Sequence, residues 1–360
     1  MTSNVTPRWP AEWEPHAATW IGWPHHEPDW PGKFGAIPWV YAEIVRVLHR
    51  YEPVEILVRD EELRVNAVAM LRAHDVDLSR CRFHLVPTDR VWLRDTGPTG
   101  VYGAEGLEWV LWRFNGWAKY DNFRDDEKVG ARVAALSDLP ATRPVRPDGE
   151  PLVLEGGGIE TNGAGALLVT EEWLLSDVQV RNHGMTREGY ERAFHRYLGV
   201  DRTIWLGDGI VGDDTHGHVD DLARFVDANT IVLAHEEDAG DANHPRTLDN
   251  LSRLQREAET FPGGLRIVTL PFPKPVMMDG ERLPASYANF YVANGVVLVP
   301  TFNDRNDRIA LSTLATLFPS HDVMGIHAID LVWGLGTLHC LTQQQPAAKP
   351  QEDKPTPRDE

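Results

Sequence analysis

One unit recurs along this 360-residue chain: a hairpin, then a helical segment, then a further strand. Residues 159–169 turn at Asn162-Gly163, residues 290–299 at Asn294-Gly295 and residues 224–233 near Ala228-Asn229, while a less regular hairpin spans 101–111. Asn-Gly between apolar runs is a strong hairpin signal, because both central turn positions ask for positive φ. Apolar spacing marks helices over 36–50, 125–137, 186–198, 246–260 and 307–318. Strands are read over 54–58, 109–114, 152–154, 203–206 and 266–270. A module of two strands, a helix and a strand is about 50 to 70 residues long, the size of a small supersecondary repeat.

A polar motif stands directly before each hairpin. Asp95 precedes the first in Trp-Leu-Arg-Asp-Thr-Gly-Pro, Glu155 the second in Leu-Glu-Gly-Gly-Gly, and His218 with Asp220 the third in Thr-His-Gly-His-Val-Asp-Asp. Tyr287 and Asn289 precede the fourth. Modules set around an axis turn equivalent positions toward the same centre. These motifs are expected to share one site with Cys340, which closes the last structured segment at 335–345.

Length alone fits either two domains or one large repetitive or barrel-like domain. With 42% hydrophobic and 25% charged residues, the chain can bury a substantial core. A formal charge of −19 argues against nucleic acid, whose phosphates need clustered Lys and Arg, and favours a small cation. No uninterrupted apolar window is long enough to span a membrane. The N-terminus lacks the apolar core of a signal peptide, and the two cysteines form no disulfide framework, so a reducing cytoplasm is expected. A homo-oligomer is compatible with all of this, since dimers are common. Thirteen tryptophans group around 13–39 and 109–117, as aromatic core or as a pocket wall. The tail over 346–360, rich in Pro, Lys, Glu and Asp, has no apolar face and is expected to be disordered.

Together Asp95, Glu155, His218, Asp220 and Cys340 suit one chemistry. Three carboxylates near a thiol raise its pKa, and a cationic substrate reverses that. A guanidinium is planar and permanently charged, and its donors form a fork that matches carboxylates. Asp95 and Asp220 are the candidate clamp, each charge-assisted bond contributing about 1.5 to 3 kcal/mol. Cys340 then attacks the guanidinium carbon, and loss of ammonia leaves a covalent amidino-thioether. His218 serves first as acid and then as base, with Glu155 holding its imidazole. The reaction requires no metal and no organic cofactor.

Trp-Leu-Arg-Asp-Thr-Gly-Pro at 92–98, Leu-Glu-Gly-Gly-Gly at 154–158, Gly-His-Val-Asp at 217–220 and His-Cys-Leu-Thr-Gln-Gln at 339–344 resemble the signature of the agmatine deiminase and bacterial-type peptidylarginine deiminase family. Residues 10–16 and 114–117 resemble it too, so the likeness covers about 9–346. The resemblance implies a single α/β catalytic domain over 1–345, a five-bladed propeller of pseudo-symmetric ββαβ modules, acting on agmatine. It implies the roles above for the five residues. Trp92, Trp117 and Asn289 are taken as further substrate-binding residues. Asp214 stands where the family usually has Glu, an acid implied to hold the substrate's far amine, and the segment 115–120 lacks the usual Gly-Gly-Lys.

Other readings remain at this level. Peptidylarginine, another guanidine, or transfer of the amidino group to an amine would use the same apparatus. His216-x-His218-x-Asp220 resembles the first ligand segment of dinuclear zinc hydrolases, with His321, His327 or His339 to complete a site. A module that binds guanidines without chemistry is the third class, and the presence of both Cys340 and His218 argues against it.

Overall fold

The computed structural model describes residues 6–348. After β1 (His16–Gly22) come α1 (Ile37–Leu48), β2 (Val54–Val58), α2 (Glu61–Ala73) and β3 (Cys81–Leu85). The short α3 (Leu93–Thr96) leads into β4 (Thr99–Gly103), β5 (Gly106–Val110), α4 (Val129–Ser137) and β6 (Ala141–Thr142). Next are β7 (Glu160–Thr161), β8 (Ala166–Thr170), α5 (Glu171–Leu175), α6 (Arg187–Leu198) and β9 (Arg202–Leu206). They are followed by β10 (Ala223–Asp227), β11 (Thr230–Ala234), α7 (Asn243–Ala258) and β12 (Arg266–Leu270). A ribbon of β13 (Met277–Met278) and β14 (Glu281–Arg282) precedes β15 (Tyr291–Ala293), β16 (Val296–Thr301), α8 (Asp307–Leu317) and β17 (Asp322–His327). The last elements are α9 (Leu338–Leu341) and β18 (Thr342–Pro346).

Four sheets follow one plan: the first two strands are antiparallel, and the second pairs in parallel with a third reached through a helical crossover. Parallel neighbours need such a crossover, which is why each hairpin is followed by a helix. The fifth blade is made from both ends of the chain. β18 lies antiparallel to β1, β1 parallel to β2, and β2 parallel to β3. No turn joins β18 to β1, so no hairpin signal announces this blade. The fold is thus the expected α/β propeller of five ββαβ-like units, with one extra strand in the closing blade.

Local chemistry explains the elements. α1 carries Pro38 in its first turn and buries Ile37, Tyr41, Ile44, Val45 and Leu48 on one face. The α6 helix starts at Thr186, whose hydroxyl accepts from Gly189 N at 3.2 Å. In the two Asn-Gly pairs only the glycine, Gly163 at φ 71° and Gly295 at φ 73°, has a positive φ. The asparagines do something else: Asn162 Oδ1 accepts from Ala164 N and Ala166 N, each at 2.9 Å, and Asn294 exchanges two 2.9 Å bonds with the backbone of His16 in β1. The second turn therefore ties neighbouring blades together.

Three expectations are corrected. The strand expected over 109–114 ends at Val110, and 152–154 contributes only an isolated bridge, Val153 to Arg113. The strand β18 runs through Pro346, which pairs with His16, so the expected tail begins too early; its residues from 349 on lie outside the described residues. The tryptophans divide: Trp20, Trp30, Trp109 and Trp173 are core, while Trp39 is 59% exposed.

Apolar side chains pack in separate clusters between the sheets and their helices. Between the blades the buried groups are ionic instead. Glu12 accepts from Arg224 at 2.9 Å, His339 at 2.8 Å and Arg94 at 3.1 Å, and Arg224 also meets Glu160 at 3.0 Å. Buried charges persist when they are paired in this way. This ionic axis is the floor on which the site rests.

Candidate active site

Five of the candidate residues come from the same place in their blades, just before the first strand. Asp95 lies on α3 ahead of β4, Glu155 ahead of β7, Asp220 ahead of β10, Asn289 ahead of β15 and Cys340 on α9 ahead of β18. Five loops thereby deliver five side chains to one centre, all of them buried.

The Cys340 sulfur accepts from Asn289 Nδ2 at 3.1 Å and lies 3.6 Å from Asp220 Oδ2. That carboxylate oxygen also takes His339 Nδ1 at 2.7 Å. His218 Nε2 is 3.4 Å from Glu155 Oε2, and its Nδ1 is 3.8 Å from Asp95 Oδ1. Glu155 is held from behind by Arg181 Nε at 3.0 Å and by Trp173 Nε1 at 2.7 Å. Asp95 accepts from Trp117 Nε1 at 2.8 Å and Gly157 N at 2.9 Å. Around His218 the chain is fixed by Asp213, which accepts from the backbone N–H of Thr215, Gly217 and His218, each at 2.8 Å.

The three glycines after Glu155 are needed for contact. A Cβ on Gly157 would sit 2.6 Å from His218 Nδ1, 2.9 Å from Asp95 Oδ1 and 3.0 Å from Asp220 Oδ2. Gly156 and Gly158 press equally closely on the Arg94 carbonyl and the Trp173 ring. Only a backbone without side chains can run between these groups.

Burial dominates the electrostatics, and charge then sorts the groups. Burial, with Asp220 and Glu155 adding to it, raises Asp95 to about 6 against the pull of His218. Burial opposes charging of the His218 ring, but Asp95, Glu155 and Asp220 outweigh it and raise the ring to about 9. For Glu155 burial again opposes ionisation, yet Arg181 and His218 prevail and hold the carboxyl at about 2. Asp220 stays below its ordinary value because His339 overrides the effect of burial. The Cys340 thiol is pushed well above its usual range by burial and by Asp220, Asp221 and Asp95. Asp221, buried beside them, is likewise pushed well up by burial and by Asp220, Asp213 and Asp95. At neutral pH the site therefore holds a neutral thiol and an imidazolium.

A cavity of about 330 Å³ opens onto this centre. Cys340, Asp95, Trp92, Trp117 and Asp214 line it. Glu155, His218 and Asp220 pack in the floor behind. Asn289 differs from expectation: its amide is occupied by Thr337 Oγ1 at 2.7 Å, His339 N at 3.0 Å and the Cys340 sulfur, so it holds the thiol and its segment instead of facing the cavity. Asp29, Arg90, Tyr120 and Trp333 also line the cavity and were not singled out by the sequence. Nor was Arg181; His339, named only as a possible zinc ligand, instead joins Asp220 to Glu12.

The zinc pattern fares differently. His216 adopts φ 64° and turns its Nε2 to Ser176 Oγ at 2.9 Å, away from His218 and Asp220. Among the described residues the one group of potential metal ligands is Asp220, Asp221 and Cys340, which contains neither imidazole of the motif. The dinuclear zinc reading loses its ligand set.

The known proteins that resemble this chain agree in kind. An agmatine deiminase of Stutzerimonas stutzeri is 34% identical, the match covering 96% of this chain and 98% of that one. The solved agmatine deiminase of Enterococcus faecalis superposes with a TM-score of 0.85 at 27% identity, covering 95% of this chain and 96% of the other. A substrate-bound agmatine deiminase of C. jejuni does so with a TM-score of 0.84 at 26% identity, covering 95% and 96%. The model of the Porphyromonas-type peptidyl-arginine deiminases matches residues 8–346, and the chain belongs to that family.

Proposed function

We propose that this chain is a hydrolase of the amidine C–N bond that converts agmatine and water to N-carbamoylputrescine and ammonia. The carrying observation is a set of buried polar atoms that no protein hydrogen bond satisfies: His218 Nδ1, Asp220 Oδ1 and Asp221 Oδ1. Unpaired buried groups are costly, and a planar cation with several donors beside Cys340 would satisfy the two oxygens. The S. stutzeri relative and the two solved structures, all agmatine deiminases, support agmatine as that cation.

Asp95 and Asp220 grip the guanidinium, whose positive charge lowers the thiol's pKa so that its proton leaves to solvent. The sulfur bonds to the central carbon, and the tetrahedral adduct expels ammonia with the proton carried by His218. The neutral imidazole then takes a proton from water, the resulting hydroxide adds to the amidino carbon, and the C–S bond breaks to return the thiolate. Glu155, anionic throughout, orients the ring. Asn289 acts as a positioning residue for Cys340, and Trp92 and Trp117 flank the aliphatic stem.

A cavity of this size, walled by Trp92, Trp117, Tyr120 and Trp333, favours a small guanidine over arginine within a peptide. The free thiol at Cys340 also favours a reducing compartment, the cytoplasm. Ammonia release from agmatine, arginine and an arginyl peptide, compared in one assay, tests the assignment. Agmatine is expected to have the highest kcat/KM, and Cys340→Ala to abolish turnover. Release from the peptide but not from agmatine would overturn the reading.

A further inference from the structure

Besides Asp95 the cavity lining carries two carboxylates, Asp29 and Asp214, and each already faces a cation of the chain itself. A substrate with a guanidinium at Cys340 and an ammonium at its other end needs an anion there, and none of the two is vacant. The two pairs differ in how firmly they are made. Arg90 reaches Asp29 through Nε at 3.0 Å, gives Nη1 to Asn122 at 3.2 Å and lies over the Tyr120 ring at 4.2 Å, with a side chain only 9% exposed. Lys119 meets Asp214 from a side chain that is 42% exposed. A half-exposed ion pair contributes little, and a released ammonium returns easily to water.

We propose that Lys119 stands in for the substrate's ammonium at Asp214, and that binding is a cation exchange in which the distal amine displaces it. The inference rests on the agmatine reading above. It makes Lys119 a specificity residue. A guanidine with a neutral tail cannot displace Lys119 and gains nothing from Asp214. A guanidine ending in a carboxylate sets that anion against Asp214 while Lys119 is engaged.

Asp214 does not depend on Lys119 for its position. Tyr120 donates its hydroxyl to Asp214 Oδ2 at 2.7 Å, and Gln179 Nε2 holds the Asp214 carbonyl at 3.1 Å and the Trp117 carbonyl at 3.1 Å. The Asp213 turn fixes the segment from the other side. Removing the lysine charge therefore frees an acid that is still in place.

The experiment compares Lys119→Gln and Lys119→Arg with the unaltered enzyme, using agmatine and butylguanidine, which has the same chain without the amine. Lys119→Gln is expected to lower KM for agmatine about threefold to fivefold, the span that loss of a half-exposed pair allows. The effect should sit in KM and be absent for butylguanidine, and Lys119→Arg should restore the parent KM. An equal shift for both substrates, or an unmoved or higher KM for agmatine, overturns the exchange and leaves the agmatine reading intact. If the unaltered enzyme turns over butylguanidine but not agmatine, the agmatine reading falls and the exchange with it.

Discussion

His339 Nδ1 stands 2.7 Å from Asp220 Oδ2, the oxygen that also lies 3.6 Å from the Cys340 sulfur. The other ring nitrogen meets Glu12 Oε2 at 2.8 Å, so the ring bridges two buried carboxylates. Asp220 is thereby tied through His339 to the ionic axis.

Replacing His339 by Ala should cost stability and binding together. Asp220 would lose the partner that holds its pKa down while remaining buried. Breaking a buried ion pair by removing one member typically costs about 3 to 5 kcal/mol. Denaturant unfolding of His339→Ala should show a loss of that order, and agmatine KM should rise at neutral pH as Asp220 takes up a proton. A loss below about 1 kcal/mol would mean that Asp220 is held by something else.

The pH dependence of kcat/KM should be bell-shaped. Asp95, raised to about 6, must be ionised to hold the guanidinium, so activity falls as pH drops through that value. His218, raised to about 9, must be protonated to release ammonia, so activity falls again as pH rises through about 9. Because the two groups interact, the limbs belong to the pair rather than to either residue alone. Asp95→Asn should erase the acid limb along with most of the activity. A profile still rising beyond pH 10 would remove His218 from the acid role.

Gly157→Ala tests whether the reactive groups need a bare backbone between them. The added methyl would press on His218 Nδ1, Asp95 Oδ1 and Asp220 Oδ2, all nearer than ordinary contact. Overpacking of this kind costs about 1 to 3 kcal/mol of stability. Turnover should fall about 10²-fold or more, since displacement by 1 Å at a reacting centre has that effect. Wild-type kinetics in this variant would show that the groups separate freely in solution.

Much of this site was legible because each blade carries its chemistry in a few adjacent residues. Asp95, Glu155, His218, Asp220 and Cys340 all sit in short motifs before a first strand, and the repeat of that position shows where they meet. What could not be read depends on contacts between blades. Asn289 looked like a substrate ligand until its amide was seen to be filled by Thr337, His339 and Cys340. Arg181 is one arginine among many until Glu155, 26 residues earlier, is found against it. The strands of the closing blade gave no hairpin signal for a related reason: β18 and β1 share no turn. The α2 helix escaped because only Ala67 and Leu71 of its residues are buried, too few for a clear apolar period.

Alkylation kinetics examine the resting thiol directly. Burial and three neighbouring acids keep Cys340 neutral in the free enzyme, so its nucleophile forms mainly when a cation occupies the site. A positively charged alkylating agent recruits its own thiolate, whereas a neutral one of equal intrinsic reactivity must wait for a rare ionisation. The charged reagent should inactivate at least about tenfold faster near neutral pH, since a shift of one pKa unit alone changes the thiolate fraction tenfold. Agmatine should protect against it. Cys81, also buried and with its thiol raised to about 11 chiefly by burial, does not line this cavity and provides the internal comparison: it should show a much smaller preference for charge. Equal rates at Cys340 for the two reagents would mean that the thiolate is already formed before substrate arrives, and the activation would then have to come from His218 instead.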